Sequence, residues 1–407
     1  MISYRVGGSI RDKLLGLPIK DQDWVVVGAS ISDMLQLGYM QIGKNFPVFL
    51  HPESKEEYAL ARTEKKIGPG YTGFEFISDP TVTLEEDLLR RDLTINAIAE
   101  SATGELIDPH NGAEDIHNRI LRHVSPSFAE DPVRILRIAR FAARFSTLGF
   151  TIAPETMQLM TDMVTSGEVD HLVEERVWQE LHSSLNESQP QVFFAVLRQC
   201  SALERLFPEI ENLYGIPQNE HYHPEIDTGI HTMMVLQQAC RLSQDAKVRF
   251  AALVHDLGKA TTPKDQWPKH PDHETRGLPL VKALCARYKV PNNFRDLALK
   301  VTQYHLHYHH IAKLDANTIL ETLTALNSFR QADNFELFIL ACEADSRGRT
   351  GYEDTIPSQS MQLRLVFKVA SEIDIQAITA LDIPGKEIGA LIYAKRLSAI
   401  KTCIKNF

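Results

Sequence analysis

Asp21-Gln22-Asp23 leads straight into the apolar stretch Trp24–Val27, nine residues after Gly7-Gly8-Ser9-Ile10-Arg11-Asp12. An extended chain alternates its side chains, so positions 21 and 23 share one face of a strand. The glycine pair upstream permits a tight turn that brings backbone N–H groups against an anion. Two carboxylates on a short strand, behind such a turn, are the arrangement that holds two Mg²⁺ ions over a triphosphate. The competing reading is a surface pair in a turn after Pro18. Glu57 is a weak candidate for a third carboxylate.

At 407 residues the chain is too long for one core, and two to four domains are expected. Five cysteines lie far apart and are odd in number, which argues against a disulfide framework and for a reducing compartment, read as the cytoplasm. No apolar run is long enough to span a bilayer. A net charge of −10 argues against a protein that coats nucleic acid without selectivity. It leaves room for RNA held on a local basic surface such as Arg134, Arg137, Arg140 and Arg144.

The fold class expected is α+β. Residues 1–127 mix short elements: strands at Trp24–Val27, Phe46–Leu50 and Tyr58–Arg62, a glycine-rich loop at Pro69–Gly73, and a helix over Leu84–Ala99. Short strands follow at Gly104–Ile107 and Arg119–Arg122, around a turn at Pro109–Gly112. Residues 128–224 read as helical. Pro132 opens a helix over Asp131–Phe145 behind an acidic cap, and helical periods continue over Met157–Val164, Leu172–Leu185 and Phe193–Leu206. Pro208, Pro217 and Pro224 mark a boundary. Residues 225–350 are helical and histidine-rich, and 351–407 hold two or three more helices.

Three motifs carry the first chemistry. Gly8 and Arg11 are candidates to hold phosphate, with an Arg11–Asp12 pairing as the structural alternative. In Arg90-Arg91-Asp92-Leu93-Thr94-Ile95-Asn96, Asp92 accepts from ribose hydroxyls and Arg91 reaches phosphate, or both form a helix-surface salt bridge. In Glu130-Asp131-Pro132-Val133-Arg134, positions 131 and 134 are neighbours on a helix face. A carboxylate accepts the exocyclic amino hydrogen of cytosine or adenine, while a guanidinium donates to the ring nitrogen beside it. Uracil and guanine present the opposite polarity, so one such pair admits CTP and ATP alone. The alternative is an ordinary ion pair. Arg137 and Arg140 prolong the ridge toward phosphate or primer backbone.

These motifs, in this order, with Asp108-Pro-His-Asn-Gly112, Asp115, Ile120-Leu-Arg122 and Glu175-Arg176-Val-Trp-Gln-Glu180 among them, resemble the class II tRNA nucleotidyltransferases, the CCA-adding enzymes, over roughly residues 1–210. The resemblance implies a small mixed-sheet palm followed by an all-helical neck, body and tail. It implies that Asp21 and Asp23 bind catalytic Mg²⁺, that Asp131 and Arg134 read the incoming base, and that Arg91 and Asp92 place triphosphate and ribose. Glu175, Arg176 and Glu180 look like the neck motif that orients the base-reading helix. Asp108–Asp115 looks like a flexible element that helps the site change from CTP to ATP. Bacterial poly(A) polymerases share the head motifs. This chain begins six residues before Gly7, is acidic, and ends without a basic tail, which favours CCA addition. The partners expected are tRNA, CTP and ATP, with no DNA and no membrane, for a monomer or homodimer. An RNA-binding protein with a decayed transferase head is the alternative of a different class.

Ten of the sixteen histidines fall between 221 and 310. His255-Asp256 interrupts the apolar run Phe250–Leu257, where two adjacent polar side chains require a reason. Imidazole and carboxylate together suit Mn²⁺, Co²⁺, Ni²⁺ or Zn²⁺. His221, His223, His307, His309 and His310 are read as surface or satisfied residues. The order His…His-Asp…His…Asp resembles the HD phosphohydrolase superfamily over about 225–350. That resemblance implies His231, His255, Asp256 and Asp345 as metal ligands, with His273 and His305 completing the site or holding phosphate. It implies hydrolysis of phosphomonoester or 2′,3′-cyclic phosphodiester ends. An HD domain kept only as an RNA-binding body is the alternative.

Overall fold

In the computed structural model, which describes residues 1–19, 21–42, 48–66 and 74–406, the chain packs as two units, 1–206 and 207–407. The first begins with β1 (Ile2–Val6), α1 (Gly8–Leu14) and β2 (Asp23–Val27). Then come α2 (Ile31–Gln36), β3 (Met40–Ile42), β4 (Val48–Leu50), β5 (Glu57–Leu60), β6 (Thr63–Lys66) and β7 (Phe74–Ile77). They are followed by α3 (Leu84–Leu89), β8 (Ala99–Glu100), β9 (Leu106–Ile107) and α4 (Gly112–Asn118). Seven strands form one sheet in the order β3-β4-β5-β2-β1-β8-β9. It is mixed, since β2 and β5 run parallel while β1 and β2 are antiparallel. Alternation along β2 sends Val25 into a layer with Val6, Leu88 and Ala99, and Val26 into a layer with Met34, Phe49 and Leu60. Each such burial is worth roughly 1.5–3 kcal/mol. These two layers fix the register that brings Asp23 beside Glu57.

The expected helix over 84–99 is much shorter. A Thr83–Glu86 capping box starts α3, but the helix ends at Leu89. Arg90 and Arg91 turn back onto the buried carboxylate of Asp87 at 2.9 and 3.1 Å, and Asp92 accepts from the Leu93 N–H. Side chains that bond nearby backbone or close a turn end helices in this way. The turn expected at 109–112 is present at 109–110, and Gly112 then opens α4, with the Gly112 and Ala113 N–H groups donating to Asp108. Phe46, Pro47 and the loop at Pro69–Gly73 lie outside the described residues.

Apart from a short parallel pair of strands, Ile120–Leu121 and Thr151–Ile152, the remainder of this unit is helical: α5 (Val133–Phe145), α6 (Pro154–Thr165), α7 (Glu174–Leu185), α8 (Gln191–Gln199) and α9 (Ala202–Leu206). Pro132 sits one residue before the helix and not at its first position. The helix expected over 193–206 divides at Ser201, whose φ of 63° is left-handed.

The second unit contains α10 (Pro208–Glu211), α11 (Thr228–Leu242), α12 (Ala246–Val254), α13 (His273–Arg287), α14 (Asn292–His309), α15 (Ala316–Ala325) and α16 (Ala332–Arg347). It ends with α17 (Ser358–Ser371), α18 (Ile375–Thr379) and α19 (Gly385–Cys403). Helices α11, α12, α14 and α16 pack on one another, with α13 against α14. Among the described residues no helix is long and apolar enough to cross a membrane.

Candidate functional site

The first unit holds a cavity of about 700 Å³, lined by nine arginines and by the carboxylates Asp23, Glu57, Asp92 and Asp131. So large an excess of guanidinium suits a polyanion. Strand β2 starts at Asp23, so Asp21 stands just before the strand and outside the cavity wall. Its charge is nevertheless felt: burial raises the Asp23 carboxyl, Arg91 opposes the rise and Asp21 adds to it. Two carboxylates close enough for one to act on the other's charge are a site for a divalent cation. Glu57, next to Asp23 on β5, lines the same cavity.

Behind these acids the arginines are held in a network. Gly7, at φ 72°, lets Arg91 approach so closely that a Cβ would lie 2.9 Å from its Nη1. The Gly7 N–H donates to the Ile98 carbonyl, and Gly7 and Gly8 both line the cavity. Arg11 corrects the sequence expectation. Its Nε and Nη2 lie 2.8 Å from Asp12, its Nη1 donates to Asn96, and its guanidinium rests over Phe145. The Asp12 pairing is the one realised, because a 4 % exposed guanidinium needs its compensation within the protein.

Asp92 accepts from Arg137 Nε at 2.8 Å and from Asn96 Nδ2 at 3.0 Å. Burial alone would raise its carboxyl, but Arg137 and Asn96 hold it well below the usual range. Arg140 donates to Glu180 at 2.7 Å. Arg137 and Arg140 thus bind protein carboxylates in this structure, where the sequence suggested phosphate. Asp131 receives both terminal nitrogens of Arg176, at 3.1 and 2.8 Å. Arg134 donates to the Ser127 and Arg90 carbonyls, which fixes the plane of its guanidinium. The Asp108–Asp115 stretch is fastened at its far end, where Asp115 takes the Thr94 hydroxyl and Arg122.

The second unit gathers His231, His255, Asp256, His273, His305 and Asp345, all buried, and Asp256, His273, His305 and Asp345 line a cavity of about 610 Å³. His255 and Asp256 sit just past the end of α12 and not within it. Gly258 lets α13 come close, since a Cβ there would overlap the His273 carbonyl. His273 consequently opens α13, where the sequence suggested a loop. The Nδ1 atoms of His255, His273 and His305 face the carbonyls of Ala252, His270 and Thr302. Each therefore turns Nε2 inward, the second-shell pattern that presents imidazole to a metal.

His231 Nε2 lies 3.1 Å from Asp345 Oδ1, and His255 Nε2 lies 3.2 Å from Asp256 Oδ2. Asp256 Oδ1 lies 3.2 Å from His273 and 3.7 Å from His305. Asp256 thus offers one oxygen to each of two donor groups. His255 Nε2 and Asp256 Oδ1 are buried without a hydrogen-bond partner, and such orphaned atoms fit a bound cation. Burial lowers the His255 imidazole, yet Asp256 and Asp345 outweigh it and push it up to about 10. Burial holds His305 well below its ordinary value, leaving it neutral.

Three residues missed in the sequence join this cluster. His309 Nε2 lies 2.6 Å from Asp345 Oδ2; its spacing of four from His305 on one helix was the available signal. Glu225 Oε1 lies 2.9 Å from His231 Nδ1 and 3.1 Å from His223 Nδ1. Nothing local in the sequence marks that pair, which the chain before α11 brings in.

Three family profiles match the chain: "Poly A polymerase head domain" over residues 3–122, "Probable RNA and SrmB- binding site of polymerase A" over 149–214, and "HD domain" over 228–345. A multifunctional CCA protein of Thioalkalivibrio sulfidiphilus is 57% identical over 401 residues, covering 98% of each chain. One of Hahella chejuensis is 55% identical, covering 98% of this chain and 95% of its own. A solved structure of a Thermotoga maritima CCA-adding enzyme complexed with tRNA-CCA shares the fold at 19% identity and a TM-score of 0.64, covering 100% of this chain and 90% of that one. With more than half the residues in common over 98% of its length, the chain belongs to the multifunctional CCA protein family.

Proposed function

We propose that this chain adds CMP and AMP, from CTP and ATP, to the 3′ end of tRNA. One observation carries this reading: Asp131, gripped by Arg176, and Arg134 share a cavity with Asp23. A base-reading pair and an acidic centre within 700 Å³ suit one nucleoside triphosphate. Divalent metal held by Asp21 and Asp23 supplies a more acidic attacking hydroxyl and charge neutralisation on the departing diphosphate. Arg91 holds phosphate beside Asp23, and Asp92, fixed by Arg137, accepts from the ribose. Asp131 accepts the amino hydrogen of cytosine or adenine, and Arg134 donates to the adjacent ring nitrogen. The tRNA is gripped by shape and backbone, since an A-form helix hides its base edges.

The full-length relatives favour CCA addition over open-ended adenylation, although the head profile bears a poly(A) polymerase description. Incubating the protein with tRNA lacking its terminal residues, Mg²⁺ and labelled CTP or ATP tests this. A product that stops at CCA supports the reading, while untemplated A-tails on arbitrary RNA, or binding without incorporation, defeat it.

The second site is a metal-dependent phosphohydrolase. His231, His255, Asp256 and Asp345 would hold a transition metal such as Ni²⁺, Mn²⁺ or Co²⁺, with His273 and His305 as further donors; the metal supplies an activated water. Its reaction is hydrolysis of a phosphomonoester or 2′,3′-cyclic end. A water oxygen bonds to phosphorus, one ester P–O bond breaks, and the water's proton ends on the released hydroxyl. Release of phosphate from 2′-AMP, and opening of adenosine 2′,3′-cyclic phosphate, by metal-loaded protein tests it; no turnover with any of the three metals defeats it.

A further inference from the structure

The cavity beside the histidine cluster contains a cation that the metal site does not explain. Arg349 lines it, and Arg349 Nε is buried with no hydrogen-bond partner. Among the described residues its guanidinium makes no hydrogen bond or ion pair. The other buried cation there is already engaged: Lys259 Nζ lies 2.6 Å from Asp256 Oδ2 and donates to Gln218. A half-buried guanidinium left without an acceptor is costly, and the cost is recovered when an anion takes its fork.

The position of Arg349 is built in, not incidental. It follows Gly348 at the end of α16, four residues after Asp345. A Cβ at Gly348 would lie 2.7 Å from the Val235 N and Cα, so this turn lies flat on α11. The Gly348 carbonyl, in turn, lies 3.0 Å from His231 Nδ1. One short turn therefore fixes both a candidate ligand and Arg349.

We propose that the Arg349 guanidinium holds the phosphate that is hydrolysed at the histidine cluster, by two parallel N–H bonds to its non-bridging oxygens. This rests on the phosphohydrolase reading of that cluster. Arg349 transfers no proton and forms no covalent bond; it is a binding residue that sets affinity and orientation. A forked donor can engage two oxygens at once, and a 2′,3′-cyclic phosphate offers two non-bridging oxygens that share one negative charge.

Arg349→Met and Arg349→Lys in the full chain test it. With adenosine 2′,3′-cyclic phosphate as substrate, Arg349→Met is expected to raise KM, and the inhibition constant of inorganic phosphate, together by about 10- to 100-fold, with a smaller change in kcat. Arg349→Lys recovers part of the loss, since it keeps charge but not the fork. Unchanged KM and phosphate inhibition, or a loss confined to kcat, overturns the proposal. So does a KM effect seen with RNA oligonucleotide ends but not with the mononucleotide, which would assign Arg349 to a backbone phosphate. If the wild type hydrolyses nothing, the phosphohydrolase reading fails by itself. Calorimetric titration with inorganic phosphate then decides: wild-type binding lost in Arg349→Met supports the site, and equal or absent binding overturns it. Should Arg349→Met fail to fold, as judged by circular dichroism, Arg349→Lys alone carries the comparison of phosphate affinity.

Discussion

In the arginine-lined cavity the deeper carboxylates already have cations: Asp92 has Arg137, and Asp131 has Arg176. In the histidine-lined cavity the buried donors face one another, and His255 Nε2 and Asp256 Oδ1 lack a hydrogen-bond partner. The first arrangement is rigid without a ligand and leaves surplus positive charge, which suits a triphosphate that arrives and departs. The second is complete only around an ion, which suits a resident metal. Two kinds of charged pocket in one chain thus point to two kinds of ligand. The contrast breaks if either cavity loses its function when the other is changed.

The largest expected effects come from crossing the two sites. Asp23→Ala should lower CMP and AMP incorporation by about 10³-fold or more, with metal-dependent phosphate release intact. His255→Ala should do the reverse. Loss of both activities in either variant would mean that the cavities are not independent.

A smaller effect sharpens the account of the first cavity. Arg176 lies on α7, while Asp131 precedes α5. Arg176→Ala releases the Asp131 carboxylate from its bidentate hold and should reduce discrimination of CTP over UTP by about 10- to 100-fold. The measurement is kcat/KM for each nucleotide on a fixed tRNA. Uniform loss for all nucleotides would assign Arg176 to phosphate or to folding. The counterpart in the second cavity is Glu225→Gln. Glu225 fixes the His231 ring from behind, so metal affinity should fall about tenfold in a direct titration.

How legible the molecule was in its sequence follows the same division. The acid pair, the Asp131 and Arg134 pair and the His-Asp dipeptide stand out because each sets polar residues at fixed short spacings beside apolar runs. What escaped was long-range pairing. The adjacent Asp12 offered Arg11 a partner in the sequence, but Asn96, 85 positions away, did not. Arg137 and Arg140 read as a basic ridge until α7 brings Glu180 to Arg140 and the chain after α3 brings Asp92 to Arg137. Glu225 and His223 carry no periodic signal at all. The short α3 was misread for a local reason: apolar spacing over 84–99 suits a helix, but Asp87, Asp92 and Asn96 bond to turns instead.

Asp87 provides the smallest test, on stability alone. Its carboxylate is fully buried between Arg90 and Arg91, and Arg91 also lines the cavity. Burial by itself would raise this carboxyl; the two guanidiniums outweigh it and hold it below the usual range. In the unfolded chain the group titrates at roughly 3.9. Between that value and the lower folded one, the unfolded state binds more protons. The stability Asp87 lends is therefore full above about pH 4 and is lost as pH falls through its folded pKa. Asp87→Asn leaves two half-buried guanidiniums without their anion and should cost the first unit about 1–3 kcal/mol at neutral pH. Urea unfolding followed through Trp24, which lies on β2, reads that unit directly, and the deficit should shrink as the pH is taken below 4. A deficit that stays constant down to pH 2 would show that the arginines are held by their backbone carbonyls and not by the Asp87 charge.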